Sequence, residues 1–255
     1  MAAVLNYILR DLFRSRFVVG YAMFFVAIAE VIIRLVGTDR AVLALLELSI
    51  PLVPLVTLTF AIVYLYDAQR MAEMLLAQPL ARGRLTLSLY SGLLLVTCLV
   101  PVVSIGLPFL VRGHMTISVW LLIAAVAVLS IVFTSISFAI VSAVRHRLQG
   151  LATGIMIWLL LLIVYDGVLL LGLHVFADYP LERAVIAAVF LNPIDLCRTL
   201  VLLHTDTGAM MGYTGAVFQQ FLGSRAGISL GLLVLAAWVV MPFHFSYRRF
   251  ARKDY

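Results

Sequence analysis

The sequence predicts an all-α, polytopic membrane protein with six transmembrane helices, an N-terminal interfacial helix and short helices in the last outer loop. Three observations carry that expectation. Of 255 residues, 64% are hydrophobic and 12% charged, against roughly half and about a quarter in soluble domains. The apolar residues fall into six long runs, each able to supply the ~20 residues that cross a hydrocarbon core. The arginines cluster at the ends of those runs. No internal repeat or low-complexity tract divides the chain, which reads as one membrane domain over residues 1–255.

Met1–Arg16 comes first. Leu5, Ile8, Leu9 and Leu12 alternate with Arg10, Asp11 and Arg14, a pattern that suits an amphipathic helix lying in the interface plane. The spans follow as Phe17–Gly37, Ala41–Tyr66, Leu85–Val111, Ile117–Val144, Leu151–Val175 and Ala226–Phe245. The first run is too long and too late for a cleaved signal peptide, and no small-residue cleavage pattern follows it. Pro51 and Pro54 interrupt the second span, and Pro101 and Pro108 the third. Prolines in a span free backbone carbonyls and permit bending.

Orientation follows from the arginines, because basic residues stay on the cytoplasmic side. With the N-terminus inside, the inner segments hold Arg10, Arg14, Arg16, Arg70, Arg82, Arg84, Arg145, Arg147, Arg248, Arg249, Arg252 and Lys253. The two short outer loops hold only Arg40 and Arg112. The expectation is N-in and C-in, in a bacterial inner membrane. This distribution also accounts for the net charge of +6 without a nucleic-acid partner.

Two connections stand out. The first, Asp67–Arg84, is short, charged and helix-like, and the chosen topology puts it in the cytoplasm. Met71, Met74 and Leu75 fall at i, i+3, i+4 and share a helical face. Arg70 and Glu73 lie off it. Pro79 ends the helix, since it lacks an N–H and its ring clashes with the preceding turn. The second, residues 176–225, lies outside and mixes apolar stretches with turn residues. Leu181–Leu191 and Leu196–Leu203 are each long enough for a short helix and too short to span. Asn192-Pro193-Ile194-Asp195 reads as a turn and helix start, with Asp195 placed to favour the helix N-terminus. This outer segment is an ordered lid or a docking surface for an outside partner, and both readings stand.

Catalytic chemistry has little to work with. The sequence holds no G-x-x-x-x-G-K-[ST] phosphate loop, no Ser/His/Asp or HExxH arrangement, and no dinucleotide fingerprint. The chain is expected to be non-catalytic and to carry no cofactor. Cys98 and Cys197 lack metal-ligand spacing, and the five histidines sit near span ends or in loops. Met210 and Met211, with His204 nearby, offer soft ligands to Cu(I). Adjacent methionines point to different sides of a helix or strand, however, so no metal site is expected. Glu30, Arg34, Glu47 and Asp166 lie within spans, where ionisable groups are costly and mark functional candidates. Glu30 and Arg34, four residues apart, pair on one helix face. All four fall in the outer half of the membrane. They line an outward-facing cavity or partner interface, or they are satisfied structurally, with Glu47 snorkelling to the interface. Asp166, beside Tyr165, is the best single candidate for a non-structural role.

The loop Met74-Leu75-Leu76-Ala77-Gln78-Pro79-Leu80-Ala81-Arg82, between an interfacial helix with two spans and the remaining spans, resembles that of type-2 ABC transporter permeases. There the corresponding stretch resembles LLAQPVSR and forms a coupling helix docked into a separate ATPase. The family's Gly-Thr-Leu ahead of it stands here as Arg70-Met71-Ala72, and its lysine-containing helix start as Leu87-Ser88-Leu89. The resemblance implies that Arg70, Met71, Glu73, Met74, Gln78, Pro79 and Arg82 make the ATPase contact, with ATP and Mg held in that partner chain. Over residues 190–225, Leu191-Asn192-Pro193-Ile194-Asp195-Leu196-Cys197-Arg198 and Gly212-Tyr213-Thr214-Gly215-Ala216-Val217-Phe218 are similar to NosY-type permeases. These belong to the NosDFY machinery that matures the copper sites of nitrous oxide reductase. That similarity implies a homodimer, a NosF-like ATPase below, a NosD-like periplasmic β-helical protein above and a NosL-like copper chaperone alongside. Asn192, Pro193, Asp195, Arg198 and Tyr213 would then dock the periplasmic partner. Either transport or a mechanical signal would fit, and no metal-ligand series lines the spans. A generic type-2 exporter of a lipid, drug or polysaccharide is the alternative; an intramembrane enzyme using Glu47 or Asp166 is the third reading.

Overall fold

The structure, a computed structural model, describes residues 8, 10–12, 14–75, 82–176, 182–203 and 224–252. Every regular element among them is helical. After a few helical residues up to Arg14, the chain breaks at Ser15, whose backbone is extended at φ −63° and ψ 127°. Helix α1 then runs Arg16–Val36, α2 Thr38–Leu75, α3 Arg82–Val111 and α4 Ile117–Ala143. The fifth long helix is composite: α5 Arg147–Leu159, a π-helical turn Leu160–Val164, and α6 Tyr165–Val175. Two short helices, α7 Glu182–Leu191 and α8 Pro193–Leu202, precede α9, Arg225–Arg252.

Six of these helices are long and apolar enough to cross a membrane. Even the shortest, α1 with 21 residues, is about 31 Å long at the helical rise, enough for the hydrocarbon core. The six predicted spans therefore match helices α1, α2, α3, α4, α5–α6 and α9. Their outward sides stay apolar and exposed, as at Met23 and Leu35 on α1 or Val168 and Leu171 on α6, because lipid is as good a solvent for them as a protein core.

Helix α4 forms the centre, packing against α2, α3, α9 and the short α8. Its buried face holds Phe133 and Phe138 beside Ser130, Thr134, Ser135 and Ser137. Ser130 and Thr134 turn their hydroxyls back to carbonyls one turn earlier, at 2.8 and 2.7 Å, so small polar residues let neighbours approach without leaving a donor unmet. Thr134 meets Thr97 of α3 at 2.9 Å, Ser135 meets Tyr90 of α3 at 2.7 Å, and Ser246 of α9 donates to the Phe138 carbonyl at 3.0 Å.

The Asp67–Arg147 end of the bundle is called basal here and the opposite end apical. Two apical turns need glycine: Gly37, at φ 81°, caps α1, and Gly113, at φ 70°, follows α3. A β-carbon is disfavoured in this region of backbone space.

Three features differ from the sequence expectation. Pro51 and Pro54 leave α2 continuous, and Pro101 and Pro108 likewise leave α3 continuous. Asp67–Leu75 is no separate helix but the last two turns of α2, without a break from the span. The second short helix starts at Pro193 rather than Leu196, since proline at the first helical position has no N–H to leave unpaired.

Candidate functional site

Two of the four predicted in-span residues, Glu47 and Asp166, meet at the apical end of a seam where α2 lies against α5. At the basal end, Arg147 donates to Asp67 at 3.0 Å, and Tyr66 donates to the Val144 carbonyl at 3.0 Å. A turn further up, Gly150 faces Tyr66: a β-carbon there would lie 2.7 Å from the tyrosine Cε2. Gly154 is likewise pressed by Leu58 and by Ile62, whose Cδ1 would stand 2.7 Å from an added β-carbon. Gly150 and Gly154 form a G-x-x-x-G face, the pattern by which membrane helices approach backbone to backbone. At mid-membrane Trp158 donates its indole N–H to the Pro51 carbonyl at 3.1 Å.

Above Trp158 the regular winding of α5 gives way to the π turn. Such a turn holds one extra residue and frees a carbonyl from the ladder. Asn192 takes it up, donating Nδ2 to the Leu161 carbonyl at 2.7 Å and to Asp195 Oδ2 at 2.8 Å. Its Oδ1 caps α8 by accepting from the Ile194 N–H at 3.0 Å. Tyr165, at the start of α6, donates to the Ala188 carbonyl of α7 at 2.6 Å. Asn192 thus fixes the elbow where α7 and α8 meet at 113°.

Arg198 completes this apical cluster. Its Nη2 donates to Glu47 Oε2 of α2 at 2.9 Å, and its Nη1 stands 3.6 Å from Asp166 Oδ2 of α6. Glu47 and Asp166, two of the in-span candidates, therefore share one counter-ion from α8. Glu47 does not merely snorkel. Arg198 Nε is buried without a hydrogen-bond partner among the described residues, so the guanidinium is held by charge and packing more than by full satisfaction.

The other two in-span candidates form a second apical site. Arg34 donates to Glu30 at 2.7 Å, and Arg112 grips the same carboxylate with both terminal nitrogens, at 2.7 and 2.5 Å. Arg112 also donates to the Pro108 carbonyl at 3.1 Å. A two-pronged guanidinium–carboxylate pair is directional as well as strong. Hydrogen bonding to Glu30 pushes Arg112, just past the end of α3, still further toward its charged form. This pair ties α1 to the α3–α4 turn.

Asn192, Pro193 and Asp195, expected on an outward docking surface, are turned inward: all three are buried within the chain. Arg198 is spent on Glu47 and Asp166. Tyr213 lies outside the described residues, as do His204, Met210 and Met211. In the predicted coupling segment, Arg70, Met71, Glu73 and Met74 fall on the last turns of α2 and Arg82 opens α3, while Gln78 and Pro79 lie outside the described residues. Sequence reasoning missed Arg112, assigned to a loop, and the Gly150/Gly154 face, whose spacing was a readable signal. It also missed Asn192 as the residue that satisfies the π turn, for which a single sequence carries no sign.

A comparison with known families gives the seam its setting. The profile of the ABC-2 family transporter proteins matches residues 50–255, which takes in α2 from its proline pair onward, the whole α2–α5 seam and the apical cluster except Glu47. The chain matches no curated protein. Six membrane-crossing helices and a match over most of its length place the chain in the ABC-2 family: it is a multi-pass membrane permease subunit of an ABC transporter, a family that works with an ABC ATPase.

Proposed function

We propose that this permease sits N-in and C-in in a bacterial inner membrane as a homodimer and receives its power through Asp67–Arg84 from a separate ATPase. The observation that carries this reading is the continuity of α2 from Thr38 to Leu75. At the helical rise, the 38 residues make a rod of about 57 Å. One end enters the coupling segment, and Glu47 near the other end holds Arg198 of α8. The sequence has no phosphate loop of its own. When two ATPase subunits close on ATP and Mg, their pull on Arg70, Glu73 and the neighbouring residues would move α2 against the bundle. The fastenings to α5 would carry that motion to the α7–α8 elbow.

For the finer task we follow the similarity of residues 190–225 to NosY-type permeases. The chain would serve copper-site assembly of nitrous oxide reductase, with a NosF-like ATPase, a NosD-like β-helical protein and a NosL-like chaperone. Its stroke would reach the periplasmic partner as transport or as a mechanical signal. One observation favours the second reading, a generic exporter whose outer segment is a lid: Asn192, Pro193 and Asp195 spend their contacts inside the chain.

Affinity purification in mild detergent tests both levels. The expected result is an ABC ATPase together with a β-helical periplasmic protein. An ATPase without the β-helical protein leaves the exporter reading standing. Absence of any ABC ATPase overturns the coupling proposal.

A further inference from the structure

The elbow of α7 and α8 meets α6 through two carboxyl groups. Asp195, on the first turn of α8, is only 8% exposed. Its Oδ2 accepts from Asn192 Nδ2 at 2.8 Å. Its carboxyl also stands in hydrogen-bonding contact with the side chain of Asp166 on α6. Two ionised carboxylates only accept, so such a contact forms a bond only when one of them carries a proton. Like charges this close do not both ionise without a large penalty.

The neighbouring groups leave that proton to the pair. Arg198, on α8 itself, is the nearest cation, but its Nη2 is spent on Glu47 of α2 at 2.9 Å. Its Nη1 stands 3.6 Å from Asp166 Oδ2, beyond a good hydrogen bond. One guanidinium thus faces three carboxyl groups. Tyr165 of α6 gives its hydroxyl proton to the Ala188 carbonyl at 2.6 Å and has none left for either acid. Burial keeps the Cys197 thiol of α8 neutral, pushing it up to about 12. The other helices packed on α8 add no ionisable group: α4 has none over Ile117–Ala143, α7 none over 184–191 and α9 none over 226–243. Burial pushes the Asp195 carboxyl up, and the Asp166 carboxylate beside it adds to the push, while Asn192 and Arg198 act the other way with smaller effect.

We infer that Asp195 and Asp166 hold one proton between them, and that this proton is a pH-sensitive latch closing the α7–α8 elbow onto α6. With the proton in place, Asp195 donates to Asp166 while accepting from Asn192, so the first turn of α8 is joined to α6. When the proton leaves to water at the apical end, the bond becomes a repulsion and α8 draws back. The folded chain holds this proton more tightly than an unfolded one. The stability it lends is therefore full at acid pH and is lost as the pH rises above the ordinary aspartate value. The latch stands whatever the chain transports and however it is powered.

Infrared difference spectroscopy of the full chain in lipid nanodiscs tests this, titrated from about pH 6 to about pH 9, where ordinary aspartates stay charged. The expected result is loss of one protonated-carboxyl stretch as the pH rises. Backbone hydrogen exchange over α7 and α8, corrected for its intrinsic pH dependence, should rise alongside. Asp195→Asn, which keeps the shape and the donor of the protonated acid, should abolish the band and hold exchange at its low-pH level. Asp166→Asn should keep the band but move its loss to lower pH by about 1, the effect of removing a charged neighbour. Asp11→Asn, at an exposed acid of the basal end, should change neither. Absence of the band in the wild type, its survival in Asp195→Asn, or an unmoved midpoint in Asp166→Asn overturns the latch; if Asp195→Asn does not fold, the Asp166→Asn midpoint decides.

Discussion

The guanidinium of Arg198 serves two carboxylates from helices far apart in sequence, Glu47 on α2 and Asp166 on α6. Removing it leaves two acids near each other in a setting poor in water. Arg198→Gln is expected to cost about 1 kcal/mol, a figure kept small because the groups are part-exposed, or roughly 2–4 °C in Tm. Adding Asp166→Asn should recover part of the loss, because one uncompensated charge disappears with it. A thermal-shift double-mutant cycle in detergent reads the coupling; strictly additive effects would show the pairing to be idle. At this scale the sequence was half legible. Glu30, Glu47 and Asp166 stood out as charges in oil, since few residue types are as costly there. Their partners were not legible, because a partner is chosen by tertiary approach: Arg112 read as an ordinary loop arginine, and Arg198 was expected to face an outside partner rather than Glu47 and Asp166.

Among the elements, α5 depends most on what it lacks. Gly150 and Gly154 bring its backbone against Tyr66, Leu58 and Ile62. Gly154→Ile would force those side chains apart, and overpacking of this kind costs about 1–3 kcal/mol. The expected outcome is a lower yield of folded protein and a lower Tm by size-exclusion and thermal-shift assays. Gly172→Ala on α6, where an added β-carbon meets nothing within 4 Å, should behave as wild type; equal loss in both would dissociate the effect from the seam. Helix positions were the most legible feature of all, because a run of some twenty apolar residues has almost one solution in a bilayer. Helix ends were less so. The last turns of α2 read as a separate loop helix because the side chains change from apolar to charged at Asp67, whereas the backbone ladder ignores that change and continues to Leu75.

For the whole molecule, the open quantity is direction. The proposed N-in orientation puts the α3–α4 turn outside and the α4–α5 turn inside. In a background with Cys98 and Cys197 replaced by serine, His114→Cys should react with a membrane-impermeant maleimide on intact cells. His146→Cys should react only after permeabilisation. Both positions are exposed at the two ends of α4, so reactivity reports sidedness rather than burial. The reversed pattern would turn the chain over and take the Asp67–Arg84 segment away from the ATPase.

The π turn of Leu160–Val164 has a consequence for how this chain tolerates change in length. An extra residue in a regular helix shifts the phase of everything after it by about 100°, one residue's share of a 3.6-residue turn. The wider π turn absorbs that surplus, so Tyr165 and Asp166 keep their direction toward α7 and α8. Deleting one of the five residues would let the helix wind regularly with little change of phase, and would withdraw the backbone irregularity that Asn192 meets at the Leu161 carbonyl. An insertion elsewhere in this span has no such turn to absorb it, so the chain should tolerate the loss of one residue here far more readily than the gain of one in α5 or α6.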